Sequence, residues 1–553
     1  MRLTVNLPDG STIEKQYDTP VTPEDLIREY ASHCPYQILS CRIDNQNRRL
    51  DTAIESDCTV DLLDLRDPYA NMSYQASLTL LYLKAVREEL GPKARVTIAN
   101  SLSKGLFTQI RISSVTDDIA VRIEKRMRDY VEQNLPVTEK RITAAEAMEF
   151  LQKDGSEHEK ALFKTASELT EANLCEMDGE ECIFYVHTLP SAGYMDLFNI
   201  RRYRNGMLLR FPHPSDPSVV PEYEEQRMLY ETFSEELHWE QLMGCTFVSD
   251  LNQKVLKNDF RELVMLSEAL HEKKVAEIAQ MIHDQKKRII LIAGPSSSGK
   301  TSFAKRLCIQ LRVIGLRPLY LGTDDYFLDR ADMVPDENGN LDFEGLSAVD
   351  IGLFTEQMNA LLAGKKADIP EFDFITGSKI FGKRIMSIDE SQPIVIEGIH
   401  GLNPKLTEGI PDGQKFRIYI SPLTQLNIDQ HHRIPTTDAR MLRRLVRDSR
   451  TRGRSAAVTI SSWPSVRAGE EVNIFPYNSE ADVFFNSQCL YELAVLKKYA
   501  KPLLEAITPA EKEYSEAQRM LQFLKFFVSI EDDSVIANNS IIREFIGGSI
   551  LVD

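Results

Sequence analysis

The sequence predicts an α/β chain whose second half folds as a doubly wound parallel sheet around a phosphate-binding loop, with two smaller α+β units ahead of it. Three observations carry that prediction. An apolar, β-branched run, Ile289-Ile290-Leu291-Ile292-Ala293, leads directly into Gly294-Pro295-Ser296-Ser297-Ser298-Gly299-Lys300-Thr301, which satisfies G-x-x-x-x-G-K-[ST] without a mismatch. Further short apolar runs at 319–321, 394–396, 416–420 and 482–485 alternate with helical stretches, as buried parallel strands do. The first 66 residues instead alternate strand and turn signals at short range.

In chain order, Leu3, Val5 and Leu7 alternate, turn at Pro8-Asp9-Gly10 and resume at Ile13, which reads as a hairpin. Thr22-Pro23-Glu24-Asp25 offers an N-cap, a proline at the first helical position and acids for the helix dipole. Residues 67–215 mix strand and helix signals, with amphipathic helices expected at 78–90, closed by Gly91-Pro92, and at 144–154. Three prolines in 211–217 mark a boundary loop, and 216–285 reads as a helical bridging segment. A helix is expected at 347–363, opened by the Ser347-x-x-Asp350 box and stopped at Gly364. The sheet-forming unit spans 286–506, and 507–553 is a C-terminal extension that starts helical.

At 553 residues the chain exceeds what one hydrophobic core supports, in keeping with these divisions. Hydrophobic residues at 42% and charged residues at 27% are the balance of a globular protein that folds throughout. A net charge of −18 opposes nucleic-acid binding unless a local basic patch overrides it. The 8 cysteines form no CxxC pair, so reduced thiols are expected and a zinc ribbon is not. Proline and charges interrupt the N-terminus before a signal-like apolar run, and no stretch has the length of a membrane span; the expected location is the cytoplasm.

The loop carries the chemistry. Its glycines let backbone N–H groups face phosphates, and the helix beginning near Lys300 adds the positive end of its dipole, so Gly294, Ser296, Ser297, Ser298, Gly299, Lys300, Thr301 and Ser302 are the expected ATP-binding residues. Lys300 is expected on the β/γ-phosphates and Thr301 on Mg²⁺. After the second expected strand, Thr323-Asp324-Asp325-Tyr326 presents a carboxylate that accepts a hydroxyl proton in one reading and caps a turn in the other. Ile394-Val395-Ile396-Glu397-Gly398 ends a strand in an acid on the Mg²⁺ side. Arg440, Arg443, Arg444, Arg447, Arg450, Arg452 and Arg454 crowd one helix and its end; a polyphosphate would hold them together, the alternative being a solvated or nucleic-acid-facing stripe.

On these residues, the region from about 288 to 504 resembles the uridine kinase and phosphoribulokinase family. Four blocks carry the resemblance: 294–302; 323–327; Ile369-Pro-Glu-Phe-Asp-Phe374 with Ile396-Glu-Gly398; and Arg443-Arg-Leu-Val-Arg-Asp448 with Arg452-Gly-Arg454. It implies a P-loop kinase using ATP and Mg²⁺, with Lys300, Asp325, Arg447 and Arg452 catalytic, the register between Asp324 and Asp325 staying open. It also implies Glu397 and Thr301 on the magnesium side, and Asp325, Glu344, Phe372, Arg444 and Arg454 on the acceptor. Phe372 stands where uridine kinases usually have tyrosine, and Gly377 where they have a base-reading histidine.

Residues 1–66, with Leu7-Pro-Asp-Gly10, resemble a TGS domain, and about 70–250 resembles the following region of threonyl-tRNA synthetases. The synthetases' HxxxH pair aligns with Gln75 and Thr79, and their CxxxH pair with Phe184 and His187, so the resemblance implies an editing-like unit that has lost its metal site. The leading expectation is a kinase of a nucleoside 5′-hydroxyl acting on a small-molecule acceptor, without membrane or nucleic acid, a homo-oligomer staying open. A sugar, polyol or phosphosugar acceptor is the alternative within the fold. An RNA-binding or regulatory NTPase is the alternative outside it, weakened because no Asn-Lys-x-Asp motif follows the loop and His283-Asp284 reads as a solvated helix end.

Overall fold

A computed structural model describes residues 1–112, 114–334, 344–424 and 426–552. The second half is built on a five-stranded parallel sheet in the order Leu319–Gly322, Ile394–Glu397, Ile289–Ala293, Lys415–Ser421, Val483–Asn486. The strand preceding the phosphate loop is central, and the chain leaves it to build outward on both sides. That order opens a crevice at the strands' carboxyl ends, where the loop sits.

Side-chain alternation assigns the central strand to two layers. Ile289 and Leu291 pack with Phe354, Met358 and Leu361 of the helix Ile351–Leu362, while Ile290 and Ile292 pack with Phe303, Leu307 and Leu311 of the helix Lys300–Val313. Ile278 and Ile282 of the long helix Phe260–Asp284 join the second layer. The C-terminal extension belongs to that layer too: Phe523 and Leu524 of the helix Tyr514–Leu524, and Ile541, Ile542 and Phe545 beyond it, are buried there.

Ahead of the parallel sheet, the first unit is a five-stranded mixed sheet ordered Thr12–Gln16, Arg2–Asn6, Cys58–Asp64, Ile38–Ile43, Gln46–Arg48, with the helix Pro23–Glu29 capped by a Thr22/Asp25 capping box. A four-stranded and a three-stranded antiparallel sheet follow, and then the helices Arg227–Met243, Val248–Leu256 and Phe260–Asp284.

Two helix boundaries differ from expectation. The helix expected at 78–90 spans Pro68–Leu90, because Asp67 caps it through the Tyr69 and Ala70 N–H groups and Pro68 takes the first turn. Its buried residues lie on nearly all faces, which erases the periodicity that marks a helix start. The helix expected at 347–363 is Ile351–Leu362: Asp350, not Ser347, caps it by accepting from Leu353 N. The helix Ala144–Asp154 matches its expected span, with Thr143 and Glu146 as a capping box and Gly155 left-handed at its end.

Candidate active site

The phosphate loop starts where only glycine fits. A Cβ on Gly294 would lie 2.0 Å from the Ile420 carbonyl oxygen on the neighbouring strand. Gly299 caps the next helix at φ +82°, and Ser297 takes φ +61°, a left-handed conformation that costs a non-glycine residue about 1–3 kcal/mol. The Ser297 and Ser298 hydroxyls are buried without a hydrogen-bond partner, each at a cost of about 1–3 kcal/mol. Strain and orphaned polar groups on one loop describe a surface shaped for a ligand, and at a helix N-terminus the matching ligand is a phosphate.

Below the loop, Lys300 Nζ donates to the Gly294 and Pro295 carbonyls at 3.0 and 3.2 Å. Thr301 Oγ1 and the Tyr320 hydroxyl both donate to Glu397 Oε2, at 3.2 and 3.0 Å. Burial pushes the Glu397 carboxyl above its ordinary range, the Lys300 charge opposes that, and Asp324 adds to it. Asp324 is raised in the same way, by burial first, with Lys300 opposing and Asp325 and Glu344 adding. The Asp324 residue as a whole is nevertheless exposed to solvent. Carboxylates outnumber the ammonium among them, and their hard oxygens with the Thr301 hydroxyl suit a small divalent cation. Among the described residues no three His, Cys, Asp or Glu form a ready metal cage.

Next to Asp324, Asp325 Oδ2 accepts from Arg384 NH1 at 2.7 Å, a partner no local pattern announced. Phe372 is buried edge-to-face against Phe327 and Phe374, at 5.6 and 5.2 Å between centroids. Gly377 has φ +70°, and a Cβ there would lie 2.3 Å from Arg330 Cδ: an arginine fills the space into which a side chain at 377 would project. Glu344 lies against Gly469 and is close enough to Asp324 and Arg444 to shift both.

The arginine helix Thr436–Arg452 sorts its cations into two groups. Arg440 pairs with buried Glu470, Arg443 with buried Glu492 at 2.7 Å, and Arg450 donates to the Glu544 and Phe545 carbonyls, so the protein itself already satisfies these three. Arg444, Arg447 and Arg452 instead converge on one fully buried carboxylate, Asp448, at 3.5, 3.0 and 3.3 Å. Arg444 also donates to the Ser296 hydroxyl at 2.7 Å, which ties this group to the loop. Burial and mutual repulsion lower the Arg444 and Arg452 pKa values, with the Asp448 charge opposing. The Arg454 side chain is exposed beyond left-handed Gly453.

Sequence reasoning missed Glu470, which accepts the Ser296 N–H at 2.9 Å, as well as Tyr320, Arg384 and Glu544. Only Asp448 had a signal, lying inside a quoted block. In the first half, Gln75 bonds Asn71, Phe184 is in the core, and His187 Nδ1 meets Glu139 Oε1 at 2.6 Å. The loop 427–433 joins the two halves: Asn427 Nδ2 donates to the Ile98 carbonyl, Gln430 accepts from Ile98 N, and buried Asp429 holds His432 at 2.7 Å.

Residues 289–493 match the family described as Phosphoribulokinase / Uridine kinase family. A uridine kinase of Chloroflexus aggregans is 30% identical over 200 residues, which cover 36% of this chain and 85% of that protein. A threonine–tRNA ligase of Thermotoga maritima is 28% identical over 152 residues, 27% of this chain; the chain spans only 23% of that ligase. A solved D-glycerate 3-kinase from Cryptococcus neoformans is 14% identical, with 45% of this chain and 87% of that one covered and a TM-score of 0.22.

Proposed function

The chain belongs, through residues 289–493, to the phosphoribulokinase/uridine kinase family, and from that premise we propose that it transfers the γ-phosphate of ATP to the 5′-hydroxyl of a nucleoside. The observation that carries this reading is the convergence of Lys300, Thr301, Glu397 and Asp324 beside a strained loop with buried, unpartnered hydroxyls.

In this reading the loop N–H groups of 297–302 and Lys300 hold the polyphosphate, while Arg444, Arg447 and Arg452 close on it from the arginine helix. Thr301 and Glu397 would hold Mg²⁺, which supplies charge neutralisation between the β- and γ-phosphates when bound. Asp324 takes the acceptor's proton. The hydroxyl oxygen attacks the γ-phosphorus, the bond to the bridging oxygen breaks, and ADP leaves with the electron pair. Two facts support Asp324 over Asp325. Its raised pKa suits a base, and Asp325 is committed to Arg384, a pair suited to positioning the acceptor.

Gly377 and Arg330 favour a second acceptor class. Where a base-reading side chain would project, a guanidinium stands instead, so a sugar, polyol or phosphosugar is the competing substrate. Divisions at 66, 215, 285 and 506 remain the proposed domain limits, with the first two units as a binding module beside a kinase domain.

The test is ADP release with Mg-ATP across nucleosides, pentoses, polyols and phosphosugars, with Lys300→Ala as the blank. Turnover of a nucleoside above the blank supports the leading reading. Turnover confined to a sugar or polyol moves the assignment to the second, and no acceptor-dependent release sinks both.

A further inference from the structure

Near the end of the chain, the Glu544 carboxylate accepts a hydrogen bond from the Ser302 hydroxyl at 2.7 Å and from its backbone N–H at 3.4 Å. Ser302 is the third residue of the helix that starts at Lys300, so its N–H is one of those a helix leaves without an intrahelical acceptor. It directly follows Thr301, at the end of the loop where a bound nucleotide turns from polyphosphate toward ribose. The donors that a phosphate would use at this position are taken by an anion from the protein itself.

The contact is built rather than incidental. Glu544 is 9% exposed, and the segment around it is anchored on both sides of the cleft. Ile541 Cγ2 lies 2.5 Å from the point a Gly299 Cβ would occupy, so the tail presses on the phosphate loop. The Arg443 guanidinium stacks over the Phe545 ring at 4.8 Å, and Arg450 donates to the Glu544 and Phe545 carbonyls at 2.9 and 3.2 Å, so the tail also grips the arginine helix. Lys305 donates to the Leu551 carbonyl from the loop's own helix. Glu544 also adds to the field that raises Glu397, which places its charge on the same cleft.

We propose that Glu544 is a built-in competitor for the nucleotide: its carboxylate occupies the Ser302 donors that the phosphate nearest the ribose requires, and nucleotide binding displaces it. The proposal rests on the reading of the loop as a nucleotide site. A carboxylate that merely positioned Ser302 for phosphate would leave the hydroxyl and N–H free, and here both are engaged. Two anions cannot share donors at one helix N-terminus, so displacement follows from charge. Because Arg450 holds the same segment, loosening the tail also releases a restraint on the helix that carries Arg444, Arg447 and Arg452.

The test uses the full-length protein and ADP, so no acceptor is needed. Glu544→Gln keeps the shape and an accepting oxygen while removing the charge, and it is expected to bind ADP about tenfold more tightly than wild type by calorimetry. In the wild type, ADP is expected to increase amide hydrogen exchange across 540–551, a readout independent of the variant's folding. Equal or weaker ADP binding by a folded Glu544→Gln, or a tail that gains protection with ADP, overturns the competition while leaving the nucleotide site standing. ADP binding by neither protein overturns the nucleotide-site reading and the proposal with it.

Discussion

Glu470, on the helix Ala456–Asn473, accepts the backbone N–H of Ser296 at 2.9 Å and at the same oxygen receives Arg440, whose Nε donates to the Ser296 carbonyl at 2.9 Å. One buried ion pair thus clamps both polar groups of a single peptide residue in the phosphate loop. The clamp fixes the loop without using the donors of residues 297–302.

Breaking that clamp on one side strands the other charge. Arg440 is 1% exposed, so Glu470→Ala leaves a buried guanidinium without its counterion, a loss of about 3–5 kcal/mol in urea unfolding. Arg440→Met in the same chain is expected to recover most of that loss. Equal instability of single and double variants would show that the loop contact, not the charge, carries the cost.

Asp448 gathers Arg444, Arg447 and Arg452 while exposing none of its own surface. Asp448→Asn keeps the size and removes the charge that holds three like-charged side chains together. Displacements of about 1 Å at a catalytic group can cost about 100-fold, and kcat/KM for ATP is expected to fall by that order. If kcat/KM moves less than threefold, roughly the noise of such comparisons, the arginines are organised by something else.

Of the acid pair, Asp324→Asn is expected to lower kcat by about 100- to 10,000-fold, the range of a lost general base. Asp325→Asn is expected to act chiefly on the acceptor KM, because it frees Arg384. Since Asp324 must be ionised to work and its pKa is raised, activity falls as pH drops through a value above the ordinary aspartate range. Exchanged phenotypes for the two variants would reassign the base.

Away from the cleft, Glu159 on the helix Glu157–Thr165 is buried with both carboxylate oxygens unpartnered, and burial with the nearby Asp429 charge raises it to about 8. The folded state therefore keeps a proton that the unfolded chain releases above its ordinary 4.5. That contribution is whole below about pH 4.5 and is lost as pH rises toward 8. Glu159→Gln, neutral at every pH, is expected to flatten the fall in urea midpoint between pH 5 and pH 8, measured against wild type. A wild-type slope unchanged by the substitution would place the titration elsewhere, on Asp429 or His431 around the same small cavity.

How much of this was legible depends on distance along the chain. The strand Ile289–Ala293, its loop and the helix after it are contiguous, and the helix Ala144–Asp154 carries its own capping box and terminal glycine; local chemistry suffices for both. The start of Pro68–Leu90 was hidden because burial on nearly every face removes the pattern, although Asp67-Pro68 was a usable signal. Glu470 and Glu544 reach the loop from 174 and 242 residues away, and nothing around either glutamate distinguishes it from a surface acid. The register at Asp324-Asp325 was undecidable for the opposite reason: the two are identical neighbours, separated only by Arg384 arriving from the hairpin strand Ser378–Met386.

The two acceptor readings can be separated at Gly377. A histidine there meets Arg330 Cδ at its Cβ and must adopt φ +70°, which by itself costs a side-chain residue about 1 kcal/mol, so Gly377→His alone is expected to lower the melting temperature and gain nothing. Arg330→Ala reopens the space. If the cleft takes a pyrimidine nucleoside, the double variant supplies a hydrogen bond to the base and lowers the KM for uridine severalfold while the KM for ATP stays fixed, because the phosphate loop is untouched. If Arg330 instead contacts a sugar, polyol or phosphosugar, the same pair of changes raises the KM for that acceptor and leaves uridine unimproved. The two acceptor readings therefore predict opposite signs for one pair of kinetic constants, and the ATP constant serves as the internal control.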